Sequence, residues 1–344
     1  MAQATDSSSN GGSKLTSTHY EGTEKLLEVW FGPVQGGTKK DTHDLRNIPR
    51  DNLIDKILTP VRCEIVSVSS NEDQTAYVLS ESSMFISKRR FILKTCGTTT
   101  LLKAIEPLMK LAKDFCEYKV LDIFYSRKNF FRPELQDTPH RTFDNEVAYL
   151  DSLFEGGAAY VLGRVNGECW YLYTLDCPSA VMEPDQTLEI LMTHLDESTM
   201  SLFQNTTGRN VKDTTRESGI ATLLPDCDIN DFLFEPCGYS MNGLLPNNGY
   251  MTIHITPEKE FSYVSFETNA EMENYGELVK RVVSTFNPGR FCLTLFTNKA
   301  AKCGSSLDAL KEVLLKEYNR QDRQFSEFSN YDLTFAHYIR EKRP

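Results

Sequence analysis

The stretch Ala76-Tyr77-Val78-Leu79-Ser80-Glu81-Ser82-Ser83-Met84-Phe85-Ile86-Ser87-Lys88-Arg89-Arg90-Phe91-Ile92-Leu93-Lys94-Thr95-Cys96 decides the fold. Ala76 to Leu79 and Phe91 to Cys96 are short apolar runs and read as strands, with Glu81 to Lys88 as the connection. Thr100 to Phe115 follows as a helix, because Leu101, Leu102, Ile105, Leu108, Met109, Ala112 and Phe115 recur at helical spacing. The same order returns about 174 residues later. Tyr250 to Ile255 is a strand, Pro257 to Glu260 a turn, and Tyr263 to Glu267 a strand. Glu271 to Phe286 is then a helix carrying Tyr275, Leu278, Val279, Val282, Val283 and Phe286. A strand–turn–strand–helix unit used twice, with short turns, implies antiparallel sheets covered by helices. The expected class is α+β: a four-layer αββα sandwich of two antiparallel sheets with helices on the outer faces, not a parallel doubly wound sheet.

The remaining elements fit that frame. Cys63 to Val68 alternates as a strand, and Phe291 to Thr297 is a short apolar strand. Gly157 to Leu162 and Cys169 to Leu175 form a hairpin turning at Asn166-Gly167. Phe143 to Phe154 and Ser306 to Tyr318 read as helices, and Gly32 to Asp44 and Gln204 to Ser218 as loops. Residues 1–18 are Ser/Gly/Thr-rich and offer little to bury, so they are expected to be a disordered tail. Residues 19–335 form one domain and 336–344 a C-terminal tail.

Composition narrows the function. The chain has 344 residues, 40% hydrophobic and 25% charged, enough for a core that needs neither disulfides nor metal. A net charge of −11 repels phosphate backbones, which argues against nucleic acid as a partner. Nine cysteines, with no CxxC pair, suggest free thiols in a reducing compartment rather than a disulfide framework or zinc ribbon. No apolar run reaches the length of a membrane span, and the start lacks the apolar core of a signal peptide, so the cytosol is the expected location. There is no G-x-S-x-G, P-loop, G-x-G-x-x-G or H-E-x-x-H, and the six histidines show no metal-ligand spacing.

What remains is a set of unusual local runs. Leu79-Ser80-Glu81-Ser82-Ser83-Met84 places a serine directly after a glutamate at a strand end. Phe91-Ile92-Leu93-Lys94-Thr95-Cys96-Gly97 ends a strand with a thiol. Pro236-Cys237-Gly238-Tyr239-Ser240-Met241-Asn242-Gly243 reads as a glycine-bracketed turn carrying a serine. Thr252-Ile253-His254-Ile255-Thr256-Pro257-Glu258 puts a histidine on the strand face opposite two isoleucines. Taken singly, each has an ordinary explanation. A Glu-Ser pair is a turn, Cys96 a buried structural thiol, His254 a satisfied core or surface histidine, and Ser240 a cap for backbone groups. The acids elsewhere are a solvated face, Phe124, Phe296 and Tyr331 are core, and Lys88-Arg89-Arg90 is an exposed turn.

Together with Glu21-Gly22-Thr23-Glu24-Lys25-Leu26-Leu27-Glu28-Val29-Trp30, Phe124-Tyr125-Ser126-Arg127-Lys128-Asn129-Phe130 and Pro184-Asp185-Gln186-Thr187-Leu188-Glu189, these runs resemble the eukaryotic, animal-type S-adenosylmethionine decarboxylases. The resemblance spans about Tyr20 to Tyr331. It implies a self-cleaving proenzyme of the polyamine pathway, making the aminopropyl donor for spermidine and spermine. Ser82 attacks the Glu81 carbonyl, and elimination then leaves a pyruvoyl group, giving a β chain 1–81 and an α chain from position 82. That group is the implied cofactor, with no metal and no pyridoxal phosphate. It forms a Schiff base with the substrate amine and accepts the electron pair released with carbon dioxide.

In family terms Ser240 stabilises the oxyanion, His254 removes the proton for elimination, and Cys96 returns a proton during decarboxylation. Glu24 lies near the active site, and Glu21, three residues away, would share its face on a helical turn. Tyr20, where the family has Phe, and Phe234 would stack the adenine, Glu258 would hold the ribose hydroxyls, and Glu81 would also be among the substrate-binding residues. A second, putrescine site is implied at Glu28, Asp185, Thr187, Glu189 and Glu267, with Phe124, Phe296 and Tyr331 on the methylenes and Lys94 as a relay. A homodimer of αβ protomers is the family's assembly. Two other readings stay open: a non-catalytic paralogue acting as a regulatory subunit, and a hydrolase using Cys96 and His254.

Overall fold

A computed structural model of the chain describes residues 21–34, 43–175, 184–205, 208–311, 313 and 315–341. Tyr20 and residues 1–18 lie outside the described residues. The first half contributes β1 (Lys25–Pro33), β2 (Ile65–Ser70), β3 (Gln74–Leu79), β4 (Ser82–Ser87), β5 (Arg90–Thr95), β6 (Tyr118–Lys128), β7 (Ala158–Gly163) and β8 (Cys169–Thr174). They form one antiparallel sheet in the order β2-β3-β4-β5-β1-β6-β8-β7. The second half contributes β9 (Gln186–Thr193), β10 (Asp228–Leu233), β11 (Tyr239–Leu244), β12 (Tyr250–Thr256), β13 (Tyr263–Thr268), β14 (Arg290–Asn298), β15 (Tyr318–Glu327) and β16 (Tyr331–Arg340). Their order is β10-β11-β12-β13-β9-β14-β16-β15, which is the first sheet with eight added to every strand number. The duplication expected from sequence is therefore present and covers eight strands per half.

Its alignment is corrected, however. The sheet order pairs β4 with β12, not Ala76–Leu79 with Tyr250–Ile255. The stretch 81–88 is itself mostly strand, because Met84 and Ile86 face one side while Ser83 and Phe85 face the other; the true turn is only Ser80-Glu81, with Leu79 opposite Ser82. Likewise Ser240 sits in strand β11 rather than in a turn: Tyr239 and Met241 enter the core, and only Pro236 to Gly238, with Gly238 at φ +108°, turns the chain.

The apolar cores lie between each sheet and its helices, as the pattern predicts. Ile105–Cys116 buries Ile105, Leu108, Leu111, Ala112 and Cys116 against Leu27, Val29, Phe91, Leu93 and Tyr125 of the first sheet. Gly276–Phe286 buries Leu278, Val279, Val282, Val283 and Phe286 against Ile190, Ile253, Val264, Phe266 and Leu293 of the second. Each such side chain contributes roughly 1.5–3 kcal/mol on burial. Asn287 at φ 50°, followed by Pro288, ends the second helix.

Four local expectations differ from the structure. The helix expected over Ser306 to Tyr318 is Ser306–Ala309 alone; beyond it Leu310 and Val313 pack into the core as irregular chain. Val211–Glu217 is a helix inside the expected loop 204–218, held by the Asn210 cap and a Thr215 hydroxyl bond to Asp231 instead of an apolar stripe. β16 continues to Arg340, into the stretch read as a tail. Arg90 is buried at the start of β5, although Lys88 and Arg89 beside it are exposed, because strand alternation turns it inward.

The inner faces of the two sheets meet in an unusual way. Apolar clusters close the two ends, around Phe85, Ile92, Leu244 and Tyr250 on one side and Phe124, Trp170, Tyr331, Leu333 and Phe335 on the other. Between them lies a buried polar layer with Lys94, Glu24, Glu28, Glu189, Glu267, His254, Asn242 and Thr252. Buried charges of this kind persist only when paired or held by hydrogen bonds.

Candidate active site

The Glu81–Ser82 bond is the tip of the β3–β4 turn. Ser82 has φ +133°, a positive value that residues other than glycine avoid, so backbone strain is stored at this bond. The Glu81 carbonyl oxygen accepts from the Cys96 amide at 2.9 Å and from Cys96 Sγ at 3.3 Å. These two donors hold the carbonyl where negative charge would develop on attack. The Ser82 hydroxyl makes a short hydrogen bond to Glu24 Oε1.

Glu24 stays ionised. Its burial opposes the charge, but Lys94, His254 and hydroxyl bonds from Ser265 and Ser82 together hold its carboxyl below the usual glutamate range. Lys94 Nζ reaches Glu24 Oε2 at 3.5 Å, and burial lowers the lysine's basicity less than its three carboxylate neighbours raise it. His254 is pushed down to about 4 by burial, so the ring is neutral at pH 7. Its Nδ1 lies 2.8 Å from Ser240 Oγ, its strand partner, and its Nε2 lies 3.8 Å from Glu24 Oε1. A cavity of about 200 Å³ opens beside these groups, lined among others by Glu81, Ser82, Cys96, Phe234, Ser240, His254 and Glu258. Glu258 Oε2 is buried there without a hydrogen-bond partner, although the same carboxylate interacts with the Cys237 thiol.

Glu21 is placed differently from its expected role. Residues 21–24 run into β1 without a helical turn, so Glu21 and Glu24 diverge. The Glu21 carboxylate accepts the backbone amides of Thr23 (3.3 Å) and Arg132 (3.0 Å), while its carbonyl accepts the Gly97 amide (2.8 Å). It braces the loop after Cys96 and does not reach Ser82.

The second group of expected residues also converges. Glu28, Phe124, Asp185, Thr187, Glu189, Glu267 and Phe296 line one cavity of about 50 Å³ between the sheets. Phe296 stacks on Tyr331 at 4.6 Å, and Phe124 meets both rings edge-on. Lys94 forms ion pairs with Glu267 (2.7 Å) and Glu189 (3.6 Å), linking this cavity to Glu24. Glu189 and Glu267 lie directly opposite on adjacent strands, where like charges repel. Burial, joined by neighbouring carboxylates, pushes Glu28 up to about 8 and Glu189 up to about 7.

Sequence reasoning missed several members of this second site. Trp30 Nε1 donates to Glu28 (2.6 Å), Trp170 Nε1 to Glu189 (3.1 Å), the Tyr250 hydroxyl to Glu267 (2.7 Å), and Arg90 pairs with Asp185 at 3.6 Å. Period-two alternation was the available signal: Trp30 follows Glu28, and Arg90 precedes Lys94, on the same inward faces. Among the described residues no cluster has the make-up of a metal site. No described helix is long and apolar enough to cross a membrane.

Comparison with known proteins supplies the family. The profile of adenosylmethionine decarboxylase matches residues 17–339. This chain belongs to the adenosylmethionine decarboxylase family. It is 49% identical to an S-adenosylmethionine decarboxylase proenzyme of Xenopus laevis, over 93% of this chain and 95% of that one. It is 48% identical to the Drosophila melanogaster protein of the same name, over 94% and 96%, and 40% identical to that of Ipomoea nil, over 89% and 85%. In three dimensions it shares the fold of a Trypanosoma brucei AdoMetDC monomer, with a TM-score of 0.58, 24% identity, and coverage of 75% of this chain and 99% of that one. The protein is thus an enzyme of the decarboxylase family with relatives described as proenzymes, and its four-layer fold is the expected one.

Proposed function

We propose that the protein is a proenzyme that cleaves itself between Glu81 and Ser82, and that the processed form decarboxylates S-adenosylmethionine. The observation that carries this is the setting of one bond: a strained Ser82 whose hydroxyl donates to an ionised Glu24, next to a carbonyl held by two donors of Cys96. In the first step Glu24 takes the Ser82 proton as Oγ attacks the Glu81 carbonyl carbon. Glu24 passes that proton on to the amide nitrogen as the C–N bond breaks, and an ester joins Glu81 to the Ser82 side chain. In the second step His254 takes the Ser82 Cα proton, a carbon–carbon double bond forms, and Glu81 departs as a carboxylate. Hydrolysis of the dehydroalanine leaves a pyruvoyl group at position 82 and releases ammonia.

A pyruvoyl ketone supplies an electron sink for a substrate amine that loses carbon dioxide. The residues around position 82 fit such a group, since they leave it facing a cavity rather than packed protein. Cys96 Sγ then stands ready to return a proton to the substrate carbon. Glu258, with its orphaned oxygen, accepts ribose hydroxyls, and Phe234 offers an aromatic face for adenine. Tyr20 completes that stack in the proposal. The product is the aminopropyl donor for spermidine and spermine. Intact-mass measurement of the purified protein tests the first half. Two chains, 1–81 and 82–344 with a ketone at the new terminus, are expected; a single unbroken chain without a hydrazine-reactive group sinks the proposal.

The inter-sheet cavity takes putrescine in the same proposal. Four carboxylates, Glu28, Asp185, Glu189 and Glu267, face two cations, Lys94 and Arg90. A diamine dication suits the excess of carboxylates over cations, and its methylenes match Phe124, Phe296 and Tyr331. The raised carboxyls set the sign of its pH dependence. Because Glu28 and Glu189 titrate near 8 and 7 instead of 4.5, their stabilising contribution is complete below about 4.5 and is lost as pH rises through 7 to 8. The Tm without diamine should therefore fall from pH 5 to pH 8.5, and putrescine should raise it most at the upper end. Calorimetry at pH 7 in buffers of different ionisation enthalpy should show proton release on binding. Equal thermal shifts at both pH values, with no proton released, contradict the assignment.

A further inference from the structure

We propose that Thr252 positions His254 as its Nε2–H tautomer, leaving the Nδ1 lone pair on the cavity side as the atom that accepts a proton. The two ring nitrogens meet different surroundings. Around Nε2 stand Thr252 Oγ1 at 2.9 Å, Ser83 Oγ at 3.1 Å and the Glu24 carboxylate at 3.8 Å. Thr252 has one hydroxyl proton, and three acceptors besides the ring compete for it: the Met241 carbonyl at 3.1 Å, Asn242 Oδ1 at 3.0 Å and, more distantly, Ser83 Oγ at 3.4 Å. The Ser83 proton likewise goes to Asn242 Oδ1 at 2.6 Å. With both protons placed elsewhere, these oxygens accept, and the carboxylate behind them favours N–H over a lone pair. The Met241 carbonyl keeps an acceptor for the Thr252 proton whichever way the Asn242 amide is turned, while the Ser83 proton is held by Asn242 Oδ1.

Access points the same way. Ser83 and Thr252 are fully buried and take no part in lining the cavity, whereas Ser240, on the Nδ1 side, lines it. Nδ1 is the ring nitrogen beside Ser240, which lines the cavity together with Ser82. Elimination needs that lone pair, which the Ser240 hydroxyl at 2.8 Å yields by rotating its proton away: the Cα proton passes to Nδ1, its electron pair forms the double bond, and the Cβ–O bond breaks to release the Glu81 carboxylate. Thr252 touches none of the reacting atoms and acts through the ring. This inference rests on the processing scheme proposed above.

The test uses the full-length chain labelled with ¹⁵N. In Ser82→Ala, which remains a precursor, long-range ¹H–¹⁵N spectra of His254 should show a pyrrole-type Nε2 and a pyridine-type Nδ1. Finding the reverse overturns the proposal, even if Thr252 variants fail to fold. Thr252→Val in the cleaving background should slow elimination roughly tenfold, as expected for one lost hydrogen bond. Chains cleavable by hydroxylamine at the ester should then accumulate, and Thr252→Ser should restore both the rate and the tautomer. Unchanged elimination and an unchanged tautomer in Thr252→Val also overturn it. An unsubstituted chain that never cleaves refutes the processing scheme instead, while the spectrum still reports the tautomer.

Discussion

Ser82→Ala should leave a single 344-residue chain with no reactive ketone and no decarboxylase activity. Alanine removes only Oγ. It is still an L residue, so the strained φ of +133° at this position persists, and the Cys96 donors to the Glu81 carbonyl remain. The substitution therefore separates the hydroxyl from the strain and from carbonyl polarisation, and complete loss assigns the attack to the hydroxyl. Cleavage at the same bond in Ser82→Ala, followed by gel and mass, contradicts the mechanism. Ser83→Ala is the informative partner, because Ser83 Oγ hydrogen-bonds Asn242 and lies 3.1 Å from His254 but has no role in the first step. It should still form the ester. Ser82→Cys keeps a nucleophile and should cleave slowly.

How far the sequence reaches depends on what each residue's neighbours decide. The alternation in Thr252-Ile253-His254-Ile255 already separates His254 from the helix-facing core, because the side-chain period of a strand is a purely local property. The duplicated unit was visible for the same reason. Its strand pairing was misaligned at Ser82–Ser87, where serines at both ends of a short apolar run mimic a connection. The inner polar layer was harder to see. Glu28, Glu189, Glu267 and Lys94 each look like solvated surface in isolation, and only the pairing of two distant halves brings Lys94 within 2.7 Å of Glu267, 173 positions away. Family resemblance supplied those names; local pattern did not. Arg90 was lost inside a basic run, since nothing local distinguishes it from Lys88 and Arg89. Glu21 and Glu24 were grouped by a helical spacing that the extended chain does not have, so one of them ended up on backbone amides and the other on Ser82.

That divergence yields the second large expected effect. Glu24→Gln should slow chain cleavage by about 10²–10⁴-fold, the usual worth of a positioned general base. Glutamine keeps the shape and can still accept a hydrogen bond from Ser82 Oγ, but it cannot take the proton. Lys94 retains Glu267 and Glu189 as partners, so the buried lysine is not left without a counter-charge. The loss should therefore appear in the rate of ester formation and not in folding, with Tm near that of the parent and no accumulation of hydroxylamine-sensitive chain. Glu21→Gln is the matched control. Its carboxylate holds the amides of Thr23 on Oε1 and Arg132 on Oε2; glutamine keeps one acceptor and loses the other, a local cost away from Ser82, so its processing should stay within several-fold of the parent. Putrescine should not rescue Glu24→Gln, because a dication in the acidic cavity acts on Lys94 and cannot replace a missing base. Near-normal cleavage in Glu24→Gln would mean that another group accepts the Ser82 proton. His254 is then the next group to examine, since its ring is neutral at pH 7 and its Nδ1 lies beside Ser240 at the same cavity.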